Sequence, residues 1–112
     1  MVHNSQQRKL EPLDVKAYLN RIGLGQQDVI QKSLRVIHHA HLLSIPYENL
    51  DFHYKKAVVL NVQDLQKKII DRCRGGIGYE LNILFYYLVS HLGFKSKLVS
   101  ARTFVDGVLS PE

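Results

Sequence analysis

A mainly helical domain of four helices, followed by one or two β-strands, is the fold this sequence predicts, and three observations predict it. Apolar residues recur at helical spacing in four segments, which are punctuated by capping residues, glycines and a proline. After Gly93 the composition turns to β-branched and aromatic residues, with Asp106-Gly107 placed as a tight hairpin turn. The chain has 112 residues, 46% hydrophobic and 22% charged, enough apolar side chain for one core and too much for disorder over the whole length.

Each element follows from its own residues. The first 12 residues are polar and without periodicity, and they read as a flexible arm. Asp14 can cap a first helix whose residues Val15, Tyr18, Leu19 and Ile22 fall at i, i+3, i+4 and i+7, with Gly23 as its stop. A second helix is expected to begin near Asp28 and to carry Val29, Ile30, Leu34 and Ile37 on one face. It ends where Pro46 forces Ile45 out of the α region. Residues 47–60 read as irregular. Asn61, with Asp64 three residues on, is an imperfect capping box for a third helix with Val62, Leu65 and Ile69 inward.

The fourth helix starts after Gly75-Gly76 and stacks Leu81, Leu84, Phe85, Leu88 and Leu92 on one stripe, with Gly93 as terminator. Residues 97–105 then read as a strand, and the Asp106-Gly107 turn returns the chain through Val108-Leu109. The division is a 1–12 arm, a 13–94 helical domain and a 95–112 segment that opens a sheet. A lone hairpin is marginal in water, so that segment needs further strands or the helices to pack against.

The charge excludes more than it assigns. Lysines and arginines outnumber acids by enough for a formal charge of +5, but they are scattered, and no aromatic platform for bases accompanies them. No nucleic-acid partner is expected. The single cysteine, Cys73, forbids an internal disulfide and fits a reducing compartment. No signal peptide is evident, and no apolar run approaches the ~20 residues needed to cross a bilayer, so the expectation is a cytoplasmic protein without a membrane partner.

Two separated motifs carry a family resemblance. Arg74-Gly75-Gly76-Ile77-Gly78-Tyr79-Glu80-Leu81-Asn82 stands immediately before the apolar fourth helix, and Ile45-Pro46-Tyr47-Glu48-Asn49-Leu50-Asp51 lies upstream of it. Together they resemble the active-site signature and the IP(F/Y)ENLD segment of the arylamine N-acetyltransferases. Lesser agreements at residues 18–23, 40–43, 92–94 and 100–102 extend the likeness over almost the whole chain from about Leu13. The resemblance implies the helical first domain of that family, followed by the opening strand or strands of its β-barrel second domain, and so a truncated version of the family's fold.

It also implies a chemistry. The family passes an acetyl group from acetyl-CoA, its cosubstrate, to a cysteine, and then to an arylamine or hydrazine, with a histidine and an aspartate completing a triad. A thiolate suits this reaction because it is an excellent nucleophile once a histidine and a helix N-terminus lower its pKa. Gly78 occupies the position of that cysteine, so the catalytic residue expected at this place is none. The histidine and aspartate of the family would align beyond Glu112. The expected reading is a family member that is catalytically inactive, a pseudoenzyme with no bound cofactor assigned.

Around Gly78 the sequence offers a structural setting. Gly75 and Gly76 are expected to let the backbone turn sharply, and the helix that follows aims its positive end back at position 78. Arg74 cannot hide its guanidinium in an apolar core, so Glu48 and Asp51 are its expected partners. Glu80 and Asn82 are assigned to the first turn of the fourth helix, with a general base at Glu80 as the sharper alternative. Thr103 aligns with a position lining the family's amine pocket and is a weak substrate-binding candidate.

Cys73 could replace the missing nucleophile only if the backbone carried its sulfur several ångströms, and it reads as a small semi-buried hydrophobe. His38, His39 and His41 read as packed or surface histidines, since a zinc site needs ligands converging from separate segments. Tyr86 and Tyr87, off the main stripe, read with Val99 and Phe104 as part of an exposed apolar patch. The alternative function is therefore a non-catalytic interaction module, binding itself or a complementing barrel-domain chain through that patch.

Overall fold

The computed structural model describes residues 11–25, 33–57, 59–100 and 104–109. Five α-helices, one π-helical segment and a two-stranded hairpin make up its regular structure. Helix α1, Val15–Arg21, is capped by Asp14, whose side chain accepts the Ala17 N–H, and it closes at Gly23 with φ +80°. Helix α2, Leu34–Ser44, stops as expected before Pro46, with Ile45 already extended. The earlier start at Asp28, with Val29 and Ile30, lies outside the described residues.

The stretch 47–60 is not wholly irregular. A single helical turn, α3, spans Leu50–His53, because the Asn49 carbonyl receives the Phe52 N–H and Leu50 that of Tyr54. Helix α4, Val62–Leu65, begins at the Asn61 cap, which accepts the Asp64 N–H at 2.9 Å. It runs directly into a π-helical segment, Gln66–Asp71, that the 3.6-residue pattern did not foresee. The wider turn brings Lys68, Ile69 and Ile70 all to the interior, where an α-helix would have turned one of three consecutive residues outward. Helix α5, Gly78–His91, is the longest. Its Leu84 and Leu88 are fully buried, Leu81, Phe85 and Leu92 pack beside them, and Gly93 at φ +96° ends it.

The core gathers Tyr18, Leu19 and Ile22 from α1, Ile37 from α2, Leu65 and Ile69 from the α4–π unit, and Leu84 and Leu88 from α5. Arg21 ties three of these pieces together. Its guanidinium donates to the carbonyls of Ser44 at 2.8 Å, Ile69 at 3.0 Å, Cys73 at 3.3 Å and Arg74 at 3.4 Å, satisfying chain ends that leave their helices without partners.

The strand expected over residues 97–105 is seen only in part, since residues 101–103 lie outside the described residues. Residues 97–100 carry no regular structure, and β1, Phe104–Val105, pairs antiparallel with β2, Val108–Leu109, across Asp106 and Gly107, both at positive φ. The hairpin forms where Asp106-Gly107 predicts it, but a long strand requires a neighbour for its backbone groups, and residues 97–100 have none among the described residues. The fold is mainly helical, as the sequence predicts, and no barrel is formed by the described residues.

Candidate active site cradle

Gly78 is the first residue of α5, and three segments converge on it. The backbone clips two of them together: Tyr47 and Gly76 form an isolated parallel bridge, with Gly76 N–H donating to Pro46 O at 3.2 Å and Glu48 N–H to Gly76 O at 3.0 Å. This contact corrects the expected role of the glycine pair. Neither Gly75 nor Gly76 sits at positive φ. A Cβ at Gly75 would stand 1.8 Å from the Pro46 carbonyl oxygen and one at Gly76 2.8 Å from Glu80 Oε1, so both are needed for close approach. At Gly78, by contrast, a Cβ would meet nothing within 4 Å.

Five charged side chains lock the convergence. Arg74 grips Glu48 with two parallel hydrogen bonds of 3.1 Å each and reaches Asp51 Oδ1 at 2.9 Å. Lys68 Nζ donates to Asp51 Oδ2 at 2.8 Å and to both Glu80 oxygens at 3.0 and 2.9 Å. Glu80 Oε1 also accepts the Ile77 N–H at 3.0 Å, binding the residue before the helix to its first turn. Asp51 bridges the two cations, so the turn at α3, the π-helical segment, the glycine loop and α5 share one network.

The electrostatics follow from these contacts. Burial alone would raise the Glu48 carboxyl, but hydrogen bonds from Arg74 and the Leu50 N–H outweigh it and hold the group below its ordinary value. Asp51 is lowered mainly by the Lys68 hydrogen bond, with Arg74 adding to it. Burial opposes the charge on Lys68, yet Asp51 and Glu80 raise its pKa, and Glu48 and then Asp51 raise that of Arg74. Glu80 is spent on Lys68 and the Ile77 amide, which leaves no free carboxylate for a base at this place.

Beside this network lies a cleft of about 380 Å³ lined by His38, His41, Leu42, Tyr47, Gly78, Leu81, Asn82 and Phe85, with Ile45 and Pro46. His41 is buried, and its Nδ1 is 3.0 Å from the Tyr18 hydroxyl. Burial, assisted by the nearby charges of His38 and Arg21, lowers its pKa to about 4, while burial raises that of the Tyr18 phenol. The neutral imidazole and the protonated phenol share this one hydrogen bond, whose direction follows the ring tautomer. Phe85 packs against the same imidazole with ring centres 4.9 Å apart.

The remaining sequence candidates separate from this centre. Cys73 is exposed rather than semi-buried, because the left-handed turn at φ +55° that ends the π-helical segment swings it outward. Asn82 is exposed at the cleft rim. Thr103 lies outside the described residues. His38 and His39 are exposed, and no group of metal-binding side chains forms among the described residues. Lys68 and His41 were not singled out for the site. Two acids at Glu48 and Asp51 and a third at Glu80, with only Arg74 to pair them, were the available signal for a further buried cation.

Against known proteins, the family model for N-acetyltransferase matches residues 31–108. The chain belongs to the arylamine N-acetyltransferase family. It is 41% identical over 92 residues to an arylamine N-acetyltransferase of Mycolicibacterium smegmatis, covering 80% of this chain and 34% of that protein. The solved arylamine N-acetyltransferase of Salmonella typhimurium superposes with a TM-score of 0.77 at 30% identity, over 87% of this chain and 36% of that one. The Mycobacterium marinum enzyme, solved in complex with CoA, superposes with a TM-score of 0.63 at 38% identity, over 71% and 30%. The chain thus spans about a third of the length of the relatives it matches. No helix among the described residues is long and apolar enough to cross a membrane.

Proposed function

We propose that this chain carries the helical, nucleophile-presenting part of an arylamine N-acetyltransferase in a form that cannot take up an acetyl group at the family's usual position. The observation that carries the reading is Gly78: it is the first residue of α5, at the edge of the cleft, with the glycine loop, the Arg74 clamp and the α5 N-terminus arranged around it. In the family reaction a thiolate at this place would attack the thioester carbonyl of acetyl-CoA and expel the CoA thiolate. Glycine has no atom that can form that bond, and no neighbour can confer one. Loss of a nucleophile alone removes many orders of magnitude in rate.

Cys73 does not substitute. Its sulfur lies on the outside of the loop, with the Ile70 carbonyl at 3.7 Å as its polar contact. The test is incubation of the purified protein with acetyl-CoA and an aromatic amine, with product followed by chromatography and protein acetylation by mass spectrometry. Acetylated amine above background that persists in Cys73→Ala would overturn the reading.

A second reading, an interaction module, is favoured by exposed apolar side chains along the last described third of the chain. Tyr79, Val99, Phe104 and Val108 are each between 66% and 73% exposed. Light scattering over a concentration series tests it; a monomer at every concentration, unchanged by an added relative's barrel domain, would count against it.

A further inference from the structure

Helix α2 is lightly held. Of its 11 residues only Ile37 and His41 are buried, while Leu34, Leu42 and Leu43 are exposed. Its first turn has no side-chain cap, whereas its last residue is tied down: the Ser44 carbonyl accepts from Arg21 at 2.8 Å, and Ser44 Oγ donates to the Ile22 carbonyl at 3.3 Å. Just beyond, Tyr47 is bridged to Gly76. One end is therefore fixed. The rest of the helix is held chiefly by two side chains, and one of them can take up a proton.

His41 joins α2 to two other helices. Its Nδ1 is 3.0 Å from the hydroxyl of Tyr18 on α1, and its ring centre is 4.9 Å from that of Phe85 on α5. The titratable groups about it are Tyr18 and Arg21 of α1, His38 one turn earlier on α2, and Tyr47 in the lining of the shared cleft; α5 brings Phe85 and Asn82, which do not titrate. Burial, His38 and Arg21 all act against an imidazolium here. Whichever tautomer the neutral ring adopts, the charged ring donates from both nitrogens, so the Tyr18 hydroxyl must accept. Its own hydrogen then has no acceptor among the described residues, and the phenol is fully buried.

We propose that α2 is a wall of the Gly78 cleft that acid releases: protonation of His41 detaches residues 34–43 from α1 and α5, with Ser44 as the hinge, while the remaining core stays folded. That core, built from Tyr18, Leu19, Leu65, Ile69, Leu84 and Leu88, comes entirely from other elements. Helix α2 supplies His38, His41 and Leu42 to the cleft, so its release dismantles one side of it. Such a release is a property of the fold, and it holds or fails whether or not acetyl transfer is detected.

The test is native-state hydrogen exchange on the ¹⁵N-labelled full chain, each amide referred to its rate in an unstructured chain at the same pH. The amides of residues 38–44 are expected to be at least tenfold less protected than those of Leu84 and Leu88, and to be insensitive to low urea, as a local opening requires. Lowering the pH from about 6.5 to about 4.5 should cut their protection at least tenfold further. In His41→Phe that second loss should vanish. His41→Gln, which keeps a polar partner for Tyr18 and does not titrate, should behave alike and serves where the phenylalanine variant does not fold. Amides of α2 that match Leu84 and Leu88 in protection and urea dependence, or a pH-dependent loss that survives the variants, would overturn the proposal.

Discussion

Lys68 and Glu80 form a buried ion pair, Nζ lying 3.0 and 2.9 Å from the two carboxylate oxygens, with the lysine only 8% and the glutamate 2% exposed. The pair joins the π-helical segment to the first turn of α5, and Asp51 extends it to the Arg74 clamp. What fixes position 78 is thus a charge network beneath the helix end rather than the glycine loop by itself.

Removing one partner should be worse than removing both. Lys68→Met leaves Glu80 with an uncompensated buried charge, while Asp51 keeps Arg74, a loss of about 3–5 kcal/mol. Glu80→Gln in the same chain relieves much of that, since the amide still receives the Ile77 N–H and carries no charge. A double-mutant cycle by urea denaturation should return a coupling energy of at least ~1 kcal/mol. Additive losses would show that the pair does not act as one unit.

The three loop glycines should rank in a definite order. Gly75→Ala drives a methyl into the Pro46 carbonyl, a backbone atom that cannot yield without breaking the bridge to Tyr47, so it should destabilise most, by several kcal/mol. Gly76→Ala meets Glu80 Oε1, a side-chain end that can yield only by loosening its bonds to Lys68 and Ile77, and should cost about 1–3 kcal/mol. Gly78→Ala meets nothing and gains helix propensity, so its melting temperature should equal or exceed that of the unaltered chain. Thermal melts of the three variants give the order directly.

Much of this was legible in the sequence, and the omissions share a cause. The Asp14 cap, the Gly23 and Gly93 stops and the Leu84–Leu88 stripe depend on neighbours within a turn or two, which a pattern records. Arg74 with Glu48 and Asp51 was readable because a guanidinium beside two glycines demands an acid. Lys68 was not readable because lysine is ordinarily a solvent-facing residue, and nothing in the run Lys67-Lys68-Ile69-Ile70 marks one of the two lysines as the buried one. The missing strand over residues 97–100 is the converse case, a β-prone sequence without a partner.

A thiol restored at position 78 should be chemically alert without being catalytic. In Cys73→Ala/Gly78→Cys the new sulfur enters open space at the N-terminus of α5, where the helix dipole and free amides favour the thiolate. Its alkylation by iodoacetamide should titrate with an apparent pKa below the ~8.5 of a free cysteine. Cys73 in the unaltered chain serves as the comparison. A titration at or above ~8.5 would mean that the helix end does not act on this position.

Acid should unfold this protein in two stages, each with its own residues. His41 has a folded pKa near 4 against about 6.5 for an ordinary histidine, so the unfolded chain binds the extra proton first. The cost of folding therefore grows as pH falls from about 6.5 to about 4, by on the order of 3 kcal/mol, and stops growing once the folded ring is protonated too. Below that window the second stage begins. Glu48 and Asp51 are held below their ordinary values, so their contribution is present above about pH 4.5 and is lost as pH falls through their folded values, opening the Arg74 clamp. Urea midpoints measured from pH 7.5 to 3 should decline across both windows. His41→Phe, which keeps the ring contact with Phe85 and removes the titrating nitrogen, should flatten the first decline and leave the second. A first decline that survives in that variant would place the upper titration elsewhere.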